Sequence, residues 1–164
     1  MAVLSKYTTI VKGLYDIGVD IKDIAMIVHD EQKHYIPDIT MSECIDSVNS
    51  VLHKYEVQHP VLVALFLDKA TNDGLVDGPL KNLLETDAFN FGVDEVIVKS
   101  ALNVFGSVAD TNFGYLDKVK PGIIGVLNDR QKQGNGVTIF MDDAVAAIAA
   151  CAEARIVSKH APIE

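Results

Sequence analysis

Three acidic groupings in this chain have the residue types and spacing for cation and phosphate chemistry. Asp142 and Asp143 stand side by side at the head of "FMDDAVAAIAACA" (140–152), a run with no further charge until Glu153. Asp94 and Glu95 open "FGVDEVIVKSALNVFG" (91–106), in which Lys99 is the sole other charge before Asp110. If the two runs start at one end of a bundle, four carboxylates meet. Clustered anions repel, so they must take up protons or share a cation. Hard oxygen donors in that number suit Mg²⁺, with Mn²⁺ as a close competitor. The third grouping is "DKVKP" (117–121). Asp117 lies near the C-terminal end of a helical segment, where a carboxylate opposes the helix dipole. Pro121 biases Lys120 away from helical angles, and a lysine held on such a turn is placed to contact a phosphate.

Each feature also has a purely structural reading. Acids in a first helical turn complement the macrodipole by about 0.3–1 kcal/mol each. Glu95 and Lys99 are spaced as an i,i+4 pair, Asp94 as a cap, and Lys120 can be a solvated surface lysine. On that reading the chain is a non-enzymatic, all-helical binding or regulatory protein whose acids are caps and solubility devices.

The elements that must position these residues are helices. Apolar residues recur at intervals of three and four almost throughout, and alternating runs are scarce, so the fold class is all-α. Helices are expected over about Ile21–His34, closed by a turn at Ile36–Asp38, and from Thr40, where Thr40 and Glu43 have the spacing of a capping box. Another is expected over about Gln58–Asn72, with Pro60 in its first turn, and a short one after Asp77 or Gly78. A long helix follows over about Val93–Val108, then a segment broken near Pro121, a polar loop "DRQKQGNG", and a last helix over about Ile139–Lys159. Between Ala144 and Ala152 every face of that last helix is apolar and small, which places it at the centre of the bundle with the others around it.

Composition narrows the function classes. At 164 residues and 49% hydrophobic, the chain suits a single helical domain over 1–164 with a real core. A net charge of −9 argues against a nucleic-acid surface and against adhesion to anionic lipid. No apolar run has transmembrane length and the start lacks the pattern of a signal peptide, so the expectation is a cytoplasmic protein, at most transiently at a membrane surface. Cys44 and Cys151 sit among helical apolar neighbours and read as structural thiols. His29 and His34 are five apart, off the spacing of a helical zinc pair. The run Val61–Leu67 reads as core, with a homo-oligomer face as its alternative. Only "ECID" (43–46) has the form used by all-α nucleotide pyrophosphohydrolases, and its ExxE partner is absent.

Taken together, "DEVIV" (94–98), "DKVKP" (117–121) and "DDAVAA" (142–147) resemble, in order, the DExxG, DxxKP and DDxxAG motifs of the phosphatidylglycerophosphatase A family. The closing glycines of the first and third motifs are Val98 and Ala147 here. With "EVQHPVLVALFLD" (56–68) the likeness spans most of the chain and is greatest to the family's soluble YutG-like branch. The resemblance implies an all-α fold around one central helix and Mg²⁺-dependent removal of phosphate from phosphatidylglycerophosphate or a soluble analogue. It further implies that Asp94, Glu95, Asp142 and Asp143 hold the metal, that Asp117 orients or deprotonates water, and that Lys120 grips phosphate.

Overall fold

The structure is a computed structural model that describes residues 4–162. Its helices are α1 (Lys6–Asp16), α2 (Ile21–Gln32), α3 (Met41–Leu52), α4 (Tyr55–Asn72), α5 (Gly78–Thr86), α6 (Val93–Lys99), α7 (Gly106–Val119), α8 (Ile123–Lys132) and α9 (Met141–His160), with a 3-10 turn at Ser100–Val104. The described residues contain no strand.

Helix α9 is the axis of the molecule. Every residue from Met141 to Ala154 is buried. Its alanines present no bulk, so helices α2, α3, α4, α6, α7 and α8 all pack directly on it. An alanine-rich helix has good intrinsic propensity as well, so the same composition that allows close packing also favours the element. No helix among the described residues is long and apolar enough to cross a membrane.

Several boundaries differ from the sequence expectation. The helix expected over Val93–Val108 is two helices: α6 stops at Lys99, the chain tightens into the 3-10 turn, and Gly106 at φ +72° starts α7. Apolar spacing continues unbroken through the turn, with Ala101 and Leu102 buried, so periodicity alone conceals the break. Helix α4 begins at Tyr55, which puts Pro60 in the helix interior at the cost of the bond to the Glu56 carbonyl. The early start is held by Gln58, whose side-chain amide donates to the Leu52 carbonyl at 2.8 Å. Helix α8 runs on to Lys132, so half of the expected polar loop is helical.

Capping also departs from expectation. Thr40 accepts from the Glu43 amide at 3.2 Å. The Glu43 carboxylate does not reach back, because Lys159 and His160 at the far end of α9 take it at 2.9 and 2.8 Å. A reciprocal box forms instead at α2, between Asp20 and Asp23.

The run Val61–Leu67 divides by face. Val61 and Ala64 enter the core, whereas Phe66 and Val63 are exposed. Leu62, Leu65 and Phe66 line an apolar cavity of about 570 Å³ between α1 and α4. Cys44 and Cys151 are buried, and burial pushes their thiols up to about 11 and about 12 respectively, out of the reactive range.

Candidate functional site

Asp94, Glu95, Asp117, Lys120, Asp142 and Asp143 all line one polar cavity of about 290 Å³. The two acid-headed helices, α6 and α9, do start at the same end of the bundle. The C-terminal end of α7 supplies Asp117 and its C-cap residue Lys120.

Lys120 organises the cavity. It follows α7 and takes φ +52°, ψ +53°, a left-handed conformation that is uncommon for a residue with a side chain. Proline at 121 turns the preceding residue away from the right-handed helix, as expected, but into this region rather than into extended backbone. From there the ammonium reaches Asp117 Oδ1 at 2.5 Å, Asp142 Oδ2 at 2.9 Å and Asp143 Oδ1 at 3.2 Å. Among the described residues only Asp87 is another non-glycine with positive φ, and it lines the same cavity. Strained backbone gathered at one place is a mark of a functional site.

Gly125 makes room for this turn. A Cβ there would lie 2.5 Å from the Lys120 carbonyl oxygen, which is backbone and cannot swing aside. Gly125→Ala is therefore expected to lower stability by about 1–3 kcal/mol in urea unfolding. Gly114→Ala on α7, whose Cβ meets nothing within 4 Å, should raise it by roughly 0.5–1 kcal/mol instead.

The acids differ in environment. Asp142 and Asp143 are 7% and 3% exposed, so this helix start does not emerge into water. Burial raises both carboxyls above their ordinary range, and repulsion from Asp142 adds to the rise at Asp143 while Lys120 pulls against it. Burial also works to raise Asp117, but hydrogen bonds from Lys120 and from Asp143, with the charge of the ammonium, hold it below the usual value. Asp117 is therefore an ionised carboxylate next to a proton-bearing neighbour. Asp94 is raised, chiefly by burial, and accepts from the Glu95 amide at 3.0 Å. Glu95 takes Lys99 at 3.0 Å, so the structural i,i+4 pair exists at the edge of the cavity.

The donor set fits a divalent cation in kind. Six carboxylates, those of Asp87, Asp94, Glu95, Asp117, Asp142 and Asp143, line a space that holds the Lys120 ammonium, and burial raises those of Asp94, Asp142 and Asp143. Among the described residues no three acids stand at ligating distances. The ammonium of Lys120 lies between Asp117, Asp142 and Asp143, which keeps these oxygens apart from a common centre.

Sequence reading passes over several cavity residues. Asn128 and Lys132 share a face of α8 at i,i+4 and line the cavity; the pair is not evident from the sequence, where Lys132 falls in the expected polar loop after the segment that holds Asn128. Asp87 and the fully exposed Phe89 come from the α5–α6 connection and had no pattern to find them by. Asp68 on α4 lines the apolar cavity between α1 and α4, not the acid cavity, and stands in the last apolar stretch before "NDG". It is 4% exposed, and burial pushes its carboxyl up to about 8, against the pull of two backbone amides.

Comparison with known proteins agrees with the family resemblance. The chain is 44% identical over 147 residues to YpjQ of Bacillus subtilis (strain 168), covering 90% of this chain and 81% of that protein. It is 45% identical over 139 residues to YutG of the same organism, covering 85% and 82%. Among solved structures, the low temperature requirement C protein from Listeria monocytogenes superposes with a TM-score of 0.90 at 39% identity, over 96% of this chain and 98% of that one. The profile of the phosphatidylglycerophosphatase A family matches residues 15–158, and with the three acidic motifs in one cavity the chain belongs to that family.

Proposed function

We propose that the protein is a divalent-cation-dependent phosphatase that hydrolyses a phosphate monoester, either phosphatidylglycerophosphate or a soluble analogue of its head group. The observation that carries this reading is the convergence of Asp117, Asp142 and Asp143 on the Lys120 ammonium, in a cavity that Asp94 and Glu95 also line. Membership of the phosphatidylglycerophosphatase A family supports the reaction class.

Asp94, Glu95, Asp142 and Asp143 are the residues that would hold Mg²⁺, or Mn²⁺ in its place. When bound, the ion draws charge from the phosphoryl oxygens and acidifies water. Asp117, kept ionised beside Lys120, orients the attacking water and takes its proton. Lys120 supplies positive charge to the phosphate, and Lys132, which lines the same cavity, adds to it. No covalent nucleophile is needed, since phosphoryl transfer asks mainly for positioning and charge neutralisation. A chain of net charge −9 is repelled by an anionic bilayer, which favours a substrate met away from it.

The test is phosphate release from phosphatidylglycerophosphate in mixed micelles and from glycerol phosphates, with thermal unfolding followed as Mg²⁺ is titrated. Ion binding to the folded state should stabilise it by about 2.7 kcal/mol at a hundredfold excess over the dissociation constant. Release that persists in excess chelator would exclude cation dependence. Absence of both release and stabilisation would favour a non-enzymatic helical binding protein.

A further inference from the structure

Helix α9 begins without a cap of its own. Phe140 occupies the N-cap position with φ −87°, ψ −31° and makes no side-chain cap bond. At this buried start the Thr138 carbonyl accepts from the Met141 and Asp142 amides, both at 3.1 Å, and α4 supplies an acceptor for the Phe140 amide and a second one for Met141. Asp68 Oδ1 accepts from the Phe140 amide at 3.2 Å and Oδ2 from the Met141 amide at 2.9 Å. One turn further along α4, Asn72 holds Val137 at both ends, accepting from its amide at 2.8 Å and donating to its carbonyl at 2.9 Å. Gln131 on α8 accepts from the Thr138 amide at 2.7 Å, and the Thr138 hydroxyl donates to the Leu127 carbonyl at 2.7 Å. The strap from Val137 to Met141 is thus held from both sides, and it ends one residue before Asp142.

The choice of a carboxylate for this cap is informative. A serine or asparagine at the N-cap would satisfy the helix start without burying an acid near Asp142 and Asp94. A buried carboxylate costs more, and it brings two rigidly linked acceptors that fix two successive amides at once. Register matters here because a helix turns by about 100° per residue. A slip of one residue would carry Asp142 and Asp143 off the Lys120 ammonium.

We propose that Asp68 is a positioning residue of the acid cavity: from α4 it sets the axial and rotational register of α9, so that Asp142 and Asp143 face Lys120. The structural part of this inference stands on the bonds just described, and its catalytic consequence rests on the proposed phosphatase reading.

The test compares Asp68→Ala, Asp68→Leu and Asp68→Asn. The first two remove both acceptors, leucine while filling the space, which keeps the experiment decisive should the alanine variant not fold. Asparagine retains an acceptor oxygen. In crystals of either apolar variant the Lys120 contacts to Asp142 and Asp143, now 2.9 and 3.2 Å, are expected to open beyond 4 Å, and to persist in Asp68→Asn. With Mg²⁺ and substrate, the apolar variants should lose kcat by about 100-fold with KM little changed, Asp68→Asn should recover most of it, and Val61→Ala on the same helix should lose stability without losing kcat. Lys120 contacts unchanged in the apolar variants would overturn the inference. A wild-type protein that neither binds Mg²⁺ nor releases phosphate would overturn the proposed function instead, and the crystallographic comparison would still decide the role of Asp68.

Discussion

Asp142→Asn is expected to reduce Mg²⁺-dependent phosphate release at least about 1,000-fold, equivalent to ~4 kcal/mol of transition-state stabilisation. It should do so without lowering the stability of the metal-free protein. The two effects have one origin. Asp142 is buried beside Asp143 and raised in pKa, so its ionised form is disfavoured in the fold unless something shares its charge. The amide keeps shape and hydrogen bonding to the Asp143 backbone and drops the charge. Lys120 keeps Asp117 and Asp143 as partners. Relief of repulsion therefore offsets the lost ion pair, and the melting temperature should stay level or rise. Asp142→Ala should be equally inactive with its helix content intact. Asp110→Asn, on the exposed face of α7, should alter neither quantity. A variant at 142 that unfolds, or one that retains activity, would show that this carboxylate serves the fold and not the reaction. Gain of stability on loss of a functional charge is the behaviour of a site held in a poor local arrangement for the sake of chemistry.

The sequence carried the centre of this fold better than its periphery. The charge-free alanine run could only be an inside helix, and α9 is buried from Met141 to Ala154. Boundaries failed where local chemistry and apolar spacing disagreed. Gly106 was a clear signal for a restart, yet the buried Ala101 and Leu102 kept the helical rhythm going across the 3-10 turn. Glu43 had the right spacing for a capping box, but spacing cannot reveal that Lys159 and His160, 116 and 117 residues away, compete for its carboxylate.

The candidate site was legible to the extent that its residues sit in short motifs. Adjacent acids at 94–95 and 142–143 and the Asp117–Lys120 turn were found because each is compact in sequence. The bundle then brought them to one cavity. Asp68 was not legible because its role is a relation between two distant segments: nothing near residue 68 announces that its carboxylate accepts from the Phe140 and Met141 amides. Likewise, the left-handed Asp87 acquires meaning only once Lys120, with the same rare conformation, is seen to line the same cavity.

Stability of the metal-free protein is expected to fall as pH rises from about 5 to 8, against the common pattern in which acid unfolds proteins. Burial pushes Glu153 and Asp68 each up to about 8, and Asp94, Asp142 and Asp143 are also raised. Below the unfolded-state pKa these groups carry protons in both states, and folding is indifferent to them. Between that value and the folded value only the native state holds the proton, so each added pH unit favours the unfolded chain. Asp30, Glu43 and Asp117 are lowered and act in the opposite sense, but their contribution is complete by about pH 5 and leaves the slope above it unchanged. Glu153 isolates the effect, because it lies midway along α9, well down the helix from the acid cavity. Its Oε2 accepts from Asn112 of α7 at 2.7 Å, its Oε1 has no partner, and Glu31 of α2 adds repulsion. At pH 7 its penalty amounts to roughly 3 kcal/mol. Glu153→Gln should remove that penalty, raising the melting temperature by about 5 °C or more at pH 7.5 while leaving it nearly unchanged at pH 5. An equal shift at both pH values would mean that glutamine acts through packing alone, and that the buried acid does not hold its proton into the neutral range.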